Sequence, residues 1–366
     1  MKKVIKRVLL GILLVLILAI GVFIAGAWSM FGEKVTAAMT VTKISDGLYS
    51  MSYEGDYGFD AYVEQGGGSN AEEMGEYITN FLSGGFYAVD TSVMEDCVMA
   101  CSTITAKDAD GNMLFGRNYD WSDCKTMIVH TKPDNGYESV STVCLDFLGF
   151  GEEWYPETDM MSKIMSLSAI YIPLDGMNEK GLCIADLVAG DAELTHQDNG
   201  KVDLTTTASI RRILDHAATV DEAITLLEDT DMHSDIGVSH HLSISDATGK
   251  SVVVEYVNGE MFVHETVAVT NHYIAPSEKE GVGHESSHAR YNLLVDLHAQ
   301  NDGVMSEEQV KYALQQVTQR GPAKEYEGTM WSIICDPAKQ QITFYFKVDY
   351  ENPYVVSLKD FAVTAN

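Results

Sequence analysis

The sequence predicts an α+β fold of two mostly antiparallel β-sheets with helices on both outer faces, preceded by an apolar N-terminal segment. Three observations predict it. Short β-type runs recur in pairs joined by tight turns such as Asp46-Gly47 and Asp108-Ala109-Asp110-Gly111, the way antiparallel neighbours connect. Amphipathic helical stretches separate blocks of strands, so the order reads strands, helices, strands, helices, strands. Residues 8–28 carry no charge and are nearly all apolar, behind the basic start Lys2, Lys3, Lys6 and Arg7.

Taken in order, the basic start and a run of about 20 apolar residues match a membrane-spanning or signal segment that exports the rest of the chain. Ala25-Gly26-Ala27 fits a small-x-small cleavage site, so residues 1–34 are a signal peptide or a signal anchor, and the remainder is extracytoplasmic, anchored or secreted. Thr40–Ile44 and Leu48–Tyr53 read as strands. Gly66-Gly67-Gly68-Ser69 breaks the chain, and Asn70, with Glu73 reaching back, caps a helix that runs to Leu82 and stops at Ser83-Gly84-Gly85. Residues 35–100 thus read as a folded pro-segment ahead of a domain over 101–366. That domain opens with strands at Ser102–Lys107, Met113–Tyr119, Met127–His130 and Ser139–Leu145 and a hairpin around Gly176–Gly181. Helices follow over Thr207–Ala218 and from Thr219 to Glu228. Strands return at His241–Ser245, Ser251–Val257 and Met261–His264. A helix over Ala289–Ala299 and another after the Ser306-x-x-Gln309 capping box lead to final strands at Met330–Cys335 and Gln341–Lys347.

Composition narrows the function. The chain of 366 residues has a formal net charge of -30, and residues 35–366 carry 19 basic against 53 acidic side chains. Such a surface repels polyphosphate, which excludes nucleic acid as a partner. The six cysteines are irregularly spaced, with no CxxC zinc pattern, and no HExxH motif accompanies His240, His241, His264, His284 or His288. No catalytic metal or cofactor is expected. Cys124, Cys144, Cys183 and Cys335 read as buried apolar residues.

The chemistry concentrates at Cys101. A cysteine opens one strand, a tight turn reverses the chain, and the next strand ends Gly116-Arg117-Asn118-Tyr119-Asp120-Trp121. A hairpin therefore sets a thiol beside a guanidinium and a carboxylate. A fixed cation favours the thiolate, whose unperturbed pKa is about 8.5. Cys97, four residues earlier, faces Met113 and Gly116 at the matching spacings, which cannot serve. The usual base would be histidine, yet the nearest, His130, belongs to a separate strand.

These residues resemble the choloylglycine hydrolase superfamily of linear amide C–N hydrolases, which includes bile-salt hydrolases, penicillin V acylases, acid ceramidase and N-acylethanolamine acid amidase. Cys101-Ser with Gly-Arg-Asn-x-Asp-Trp is joined, in order, by Asn178-Glu-Lys-Gly-Leu, Val269-Thr-Asn271-His and Ser286-Ser-His-Ala-Arg290-Tyr. The resemblance implies a four-layer αββα N-terminal-nucleophile fold and hydrolysis of a small N-acyl amide. It implies Cys101 as nucleophile, with its own α-amine, reference pKa about 7.7–8.0, as general base. That amine exists only after cleavage between Ala100 and Cys101, so the chain is expected to be a self-cleaving precursor. Asp120 then holds the amine, Arg117 and Arg290 set the electrostatic field, and Asn271 donates to the oxyanion. Trp121 and Asn178 are candidate substrate contacts. One departure stands out: Val188 occupies the place of a second asparagine in bile-salt hydrolases, which argues against a strict bile-salt hydrolase. The alternatives are an acyltransferase using the same acyl-cysteine and a non-catalytic binding protein on the same fold.

Overall fold

The computed structural model describes residues 31–83, 100–151, 153–234, 238–320 and 327–365. The apolar stretch 8–28, Cys97 and the Gly84-Gly85 helix stop lie outside the described residues. Among the described residues, no helix is long and apolar enough to cross a membrane.

Helix α1 covers residues 31–40, followed by β1 (Thr42–Ser45), β2 (Leu48–Glu54), α2 (Phe59–Glu64) and α3 (Ala71–Ser83). Next come β3 (Ala100–Lys107), β4 (Met113–Ser122), β5 (Thr126–Lys132), β6 (Ser139–Cys144), α4 (Met160–Ser166), β7 (Asp175–Asn178) and β8 (Cys183–Val188). The middle holds β9 (Val202–Thr205), α5 (Thr206–His216), α6 (Val220–Glu228), β10 (Thr230–His233), β11 (His240–Ser245), β12 (Ser251–Val257), β13 (Glu260–Glu265) and β14 (Ala268–Val269). The chain closes with α7 (Glu285–Gln300), α8 (Glu307–Gln316), β15 (Glu327–Asp336), β16 (Gln341–Phe346), β17 (Tyr354–Ser357) and β18 (Ala362–Ala365).

Two sheets make the central layers. The nine-stranded one runs β1-β2-β5-β6-β7-β8-β11-β12-β13, and the seven-stranded one runs β14-β3-β4-β15-β16-β17-β18. Their ladders are antiparallel except for β2 on β5, which is parallel. Alternation along each strand sends one set of side chains between the sheets and the other under helices. Phe115, Tyr119, Ile333 and Phe344 of one sheet thus meet Met177, Cys183, Leu187 and Val253 of the other in a shared core. On the outer face of the nine-stranded sheet, Ile210, Ile213 and Val220 of α5 and α6 cover Ile184, Leu242 and Val254. On the outer face of the seven-stranded sheet, Leu294, Val310 and Leu314 of α7 and α8 cover Ile104, Leu114 and Ile334. Each such side chain, fully buried, contributes about 1.5–3 kcal/mol. The result is a four-layer αββα arrangement, the α+β fold that the pattern of the chain predicts.

The stretch ahead of Cys101 is woven into this core. Tyr49, Met51 and Tyr53 of β2 pack with Tyr62, Met74 and Ile78 of α2 and α3 against Met127 and Val129 of β5. The cap at Asn70 forms, its Oδ1 accepting from Glu73 N at 2.9 Å, but the Glu73 carboxylate reaches Ser69 N instead of Asn70 N. The capping box at Ser306 and Gln309 forms as expected. Sequence reading missed α1, α2, α4, β17, β18 and the separate parallel pair β9–β10, all but α1 short.

Gly116 shows why the β4 motif needs its glycine. A Cβ there would lie 2.8 Å from Val310 Cγ1 and 3.1 Å from Ile104 Cγ2, so α8 would have to lift. Gly116→Ala is expected to destabilise the protein by about 1–3 kcal/mol, the usual cost of overpacking, measured by chemical denaturation.

Candidate active site

The β3–β4 hairpin assembles the site. The Asp108 carboxylate accepts from Asp110 N and Asn112 N, at 2.9 and 2.8 Å, and so closes the turn. Register then pairs Ala100 with Asp120, Cys101 with Tyr119 and Thr103 with Arg117. Directly paired residues share a face of the sheet, and successive residues alternate. Cys101 and Arg117 therefore point between the sheets. Asp120 points to the helix side, as does Asn118, whose Nδ2 donates to Leu314 O of α8 at 2.9 Å. The motif brings thiol, guanidinium and carboxylate to one strand end, but from opposite faces of it.

Arg117 is fully buried. Its Nε donates to Asp175 Oδ2 at 2.6 Å and its Nη1 to Asp186 O at 2.7 Å, both on the opposite sheet. Trp331 Nε1 donates to the same Asp175 oxygen at 2.8 Å. Arg117 Nη2 has no hydrogen-bond partner, leaving that donor inside the sheet interface.

Backbone atoms of Cys101 are gripped from the helix side and from the loop after β14. Cys101 N donates to Asn271 Oδ1 at 2.7 Å, and Arg290 Nη2 donates to the same oxygen at 2.9 Å. Arg290 Nη1 donates to Cys101 O at 2.6 Å. Asn271 Nδ2 donates to Val188 O at 2.8 Å, which leaves its second hydrogen for another acceptor. Position 188 thus supports Asn271 through its backbone carbonyl and not through a side chain. Buried Glu255 steadies the same loop, accepting from Ile274 N at 2.8 Å and Ala275 N at 2.9 Å. On the carboxylate side, Asp120 Oδ1 accepts from Thr329 Oγ1 at 2.5 Å, while Oδ2 is buried without a hydrogen-bond partner.

Burial pushes the Cys101 thiol up to about 12, with the Arg117 charge pulling the other way. Burial pushes the Asp120 carboxyl up to about 7, against the Thr329 hydrogen bond and the charges of Arg290 and Arg117. In the uncut chain the thiol is therefore protonated at neutral pH and needs a base. His130 is not one, being held in the nine-stranded sheet between Ser52 Oγ and Glu138 Oε1.

Of the seven residues expected at the site, five converge here: Cys101, Arg117, Asp120, Asn271 and Arg290. Trp121 lies on the Cys101 face, buried between the sheets and packed edge-on to Phe147 with ring centroids 5.4 Å apart. The expectation for Asn178 is corrected. Its Oδ1 accepts from Lys180 N and Leu182 N, and its Nδ2 donates to Leu214 O and Ala217 O. Those four bonds tie a hairpin to α5 and exhaust the amide, so nothing remains for a substrate. The residue of that strand which reaches the site is Asp175, three positions earlier. A buried carboxylate partner for Arg117 was foreseeable, but which of the 53 acids in residues 35–366 it would be was not.

Residues 101–273 match the family described as linear amide C–N hydrolases, choloylglycine hydrolase family. Penicillin V acylase of Pectobacterium atrosepticum is 33% identical over 105 residues, which make up 25% of this chain and 27% of that protein. The match thus spans about a quarter of that relative's length. Two crystal structures of conjugated bile acid hydrolase variants from Clostridium perfringens superpose with a TM-score of 0.52 and 17% identity, covering 73% of this chain and 96% of theirs. At that identity the likeness concerns the fold.

A raised carboxyl pKa has a signed consequence. Asp120 holds its proton in the folded chain up to about pH 7, whereas unfolded aspartate loses it near pH 3.9. Its contribution to stability is therefore intact below about pH 4 and is lost as pH rises to about 7. In an uncleavable Cys101→Ala background, adding Asp120→Asn should raise Tm relative to the background progressively from pH 4 to pH 7, with the difference level above that. Thermal unfolding across this range checks it.

Proposed function

From the match of residues 101–273 to the choloylglycine hydrolase family of linear amide C–N hydrolases, we propose that the chain is the precursor of an amidase whose nucleophile is Cys101. The observation that carries this reading is the buried grip on the nitrogen at position 101, held 2.7 Å from Asn271 Oδ1 beside the Cys101 thiol. Cys101 Sγ attacks the Ala100 carbonyl carbon, the Ala100–Cys101 C–N bond breaks, and the acyl group passes to sulfur. The departing nitrogen takes up a proton, and water then hydrolyses the thioester to an Ala100 carboxylate and a free Cys101 amine. The orphaned Asp120 oxygen, on the face of Ala100, suits a group that accepts a proton in the first step and holds an ammonium afterwards.

Once free, the amine takes the thiol proton, the thiolate attacks the substrate carbonyl, and the ammonium returns that proton to the leaving amine. The spare Asn271 hydrogen stabilises the oxyanion. Arg117, buried and unable to deprotonate, favours the thiolate. Water releases the acid from the acyl-cysteine. The apolar surroundings of Cys101, including Tyr119, Trp121 and Trp331, suit a hydrophobic acyl group. A small N-acyl amide is therefore the proposed substrate class. Residues 8–28, read from sequence, would keep this chemistry outside the cytoplasmic membrane, anchored or secreted.

Cleavage at this point would leave the described upstream residues 31–83 docked, because β2 lies in the nine-stranded sheet between β1 and β5.

Intact-mass spectrometry of purified protein should find a fragment beginning at Cys101 that co-purifies with its upstream partner without a covalent link. Cys101→Ala should give only the uncut chain. An active preparation that proves uncut overturns the reading. On matured enzyme, Asn271→Ala should lower kcat by about 10²–10³ on an N-acyl amide panel, as loss of an oxyanion donor does. Added amines distinguish acyl transfer from hydrolysis by the product formed.

A further inference from the structure

Away from Cys101, the parallel pair β9–β10 brings together Asp203, Asp231 and His233. One candidate ligand atom of each lies within 4.8 Å of the others. His233 Nε2 is 2.9 Å from Asp203 Oδ1 and 3.5 Å from Asp231 Oδ1. In register, Asp231 pairs with Asp203 and His233 with Thr205, so the parallel pairing itself sets these groups side by side.

Hydrogen-bond accounting does not close around these three atoms. Asp231 is only 3% exposed. Its Oδ2 is satisfied by Asn199 N at 2.7 Å and Gly200 N at 3.2 Å. Its Oδ1, aimed at His233, is buried with no hydrogen-bond partner. Nε2 can carry a single hydrogen, and the shorter contact directs it to Asp203. One proton thus serves two carboxylate oxygens, and a buried charged acceptor left over is costly.

We propose that this cluster is a binding site for a first-row divalent cation of the zinc or manganese class. A cation replaces the single proton and satisfies all three atoms at once. The dimensions suit it: ligands about 2.1 Å from a tetrahedral centre stand roughly 3.4 Å apart, close to the 2.9 and 3.5 Å separations from His233. One imidazole nitrogen with two carboxylates is a borderline-to-hard donor set, which suits these metals. Asp203, its side chain 47% exposed, provides the entry path and the freedom to close on the ion. His196 Nδ1 lies 3.2 Å from His233 Nδ1. It can accept the proton that His233 must move to Nδ1 when Nε2 binds metal, the outer contact that metal-bound histidines ordinarily have.

The place of the site gives binding a consequence. Asp203 N donates to Gly66 O at 3.2 Å, and Gly68 N donates to Asp203 O at 2.8 Å. A Cβ on Gly67 would lie 1.9 Å from Asp203 O, so at this point the two segments meet backbone against backbone. The cation fixes the strand on which the segment ahead of Cys101 is docked, and it holds that segment whether or not the chain is cut.

Isothermal titration of chelator-treated full-length protein with zinc chloride, and separately manganese chloride, tests this. The expected result is one equivalent bound and, about 100-fold above Kd, a Tm increase of roughly 4 °C. Affinity should fall at least about 10-fold in His196→Ala and further in Asp203→Asn and Asp231→Asn. Asp203 is half-exposed, so its variant keeps the fold and decides the matter if Asp231→Asn does not. Failure of both metals to bind at about 1 mM, or binding unchanged in Asp203→Asn, overturns the proposal. Neither result bears on cleavage at Cys101.

Discussion

The Arg117–Asp175 ion pair joins the two sheets through their shared core, with the guanidinium on one sheet and the carboxylate on the other, 2.6 Å apart and both fully buried. A buried ion pair is weak evidence for stability, because desolvation offsets much of the attraction. Its value here is positional. Asp186 O and Trp331 Nε1 complete the coordination and hold the charge at a fixed place in the interface. Cys101 points into that same interface, so the burial that keeps its sulfur protonated is offset in part by a cation that cannot move or deprotonate.

A second constraint meets the first at position 101. Its nitrogen and its carbonyl are held by Asn271 and Arg290, which come from a loop and a helix about 170 to 190 residues downstream. Asn271 is itself fixed by Val188 O, and the loop after it by Glu255. The strand end is thus positioned by side chains from every layer it touches, while the carboxylate of Asp120 approaches from the helix side. This arrangement stands in the uncut chain. Whatever happens at the Ala100–Cys101 bond begins from an organised site, consistent with the upstream strands being part of the core.

Much of this was legible beforehand because it is local. The β3–β4 hairpin follows from its turn residues, and the turn length fixes which side chains of Cys101 through Asp120 lie opposite one another. The capping box at Ser306 and Gln309 and the amphipathic helices are equally local. The short strands β17 and β18 and the parallel pair β9–β10 were missed, since four residues carry too little periodicity to be distinguished from a loop. Asn178 misled for a related reason. A polar residue in a recognised hairpin looked available, while the backbone atoms that consume its amide come from a helix end more than 35 residues away.

By itself the sequence determined the class of fold and the hairpin that carries Cys101, Arg117 and Asp120, because turn chemistry and side-chain alternation act between near neighbours; Asn271 and Arg290 were named through the family resemblance alone. Tertiary structure alone decided the partners. Asp175 for Arg117, Val188 O for Asn271, and the crowding of Asp203, Asp231 and His233 depend on which strands lie side by side and which faces meet across the sandwich. Those pairings arise from burying whole faces of sheets and helices at once, a collective requirement that no short stretch of residues encodes.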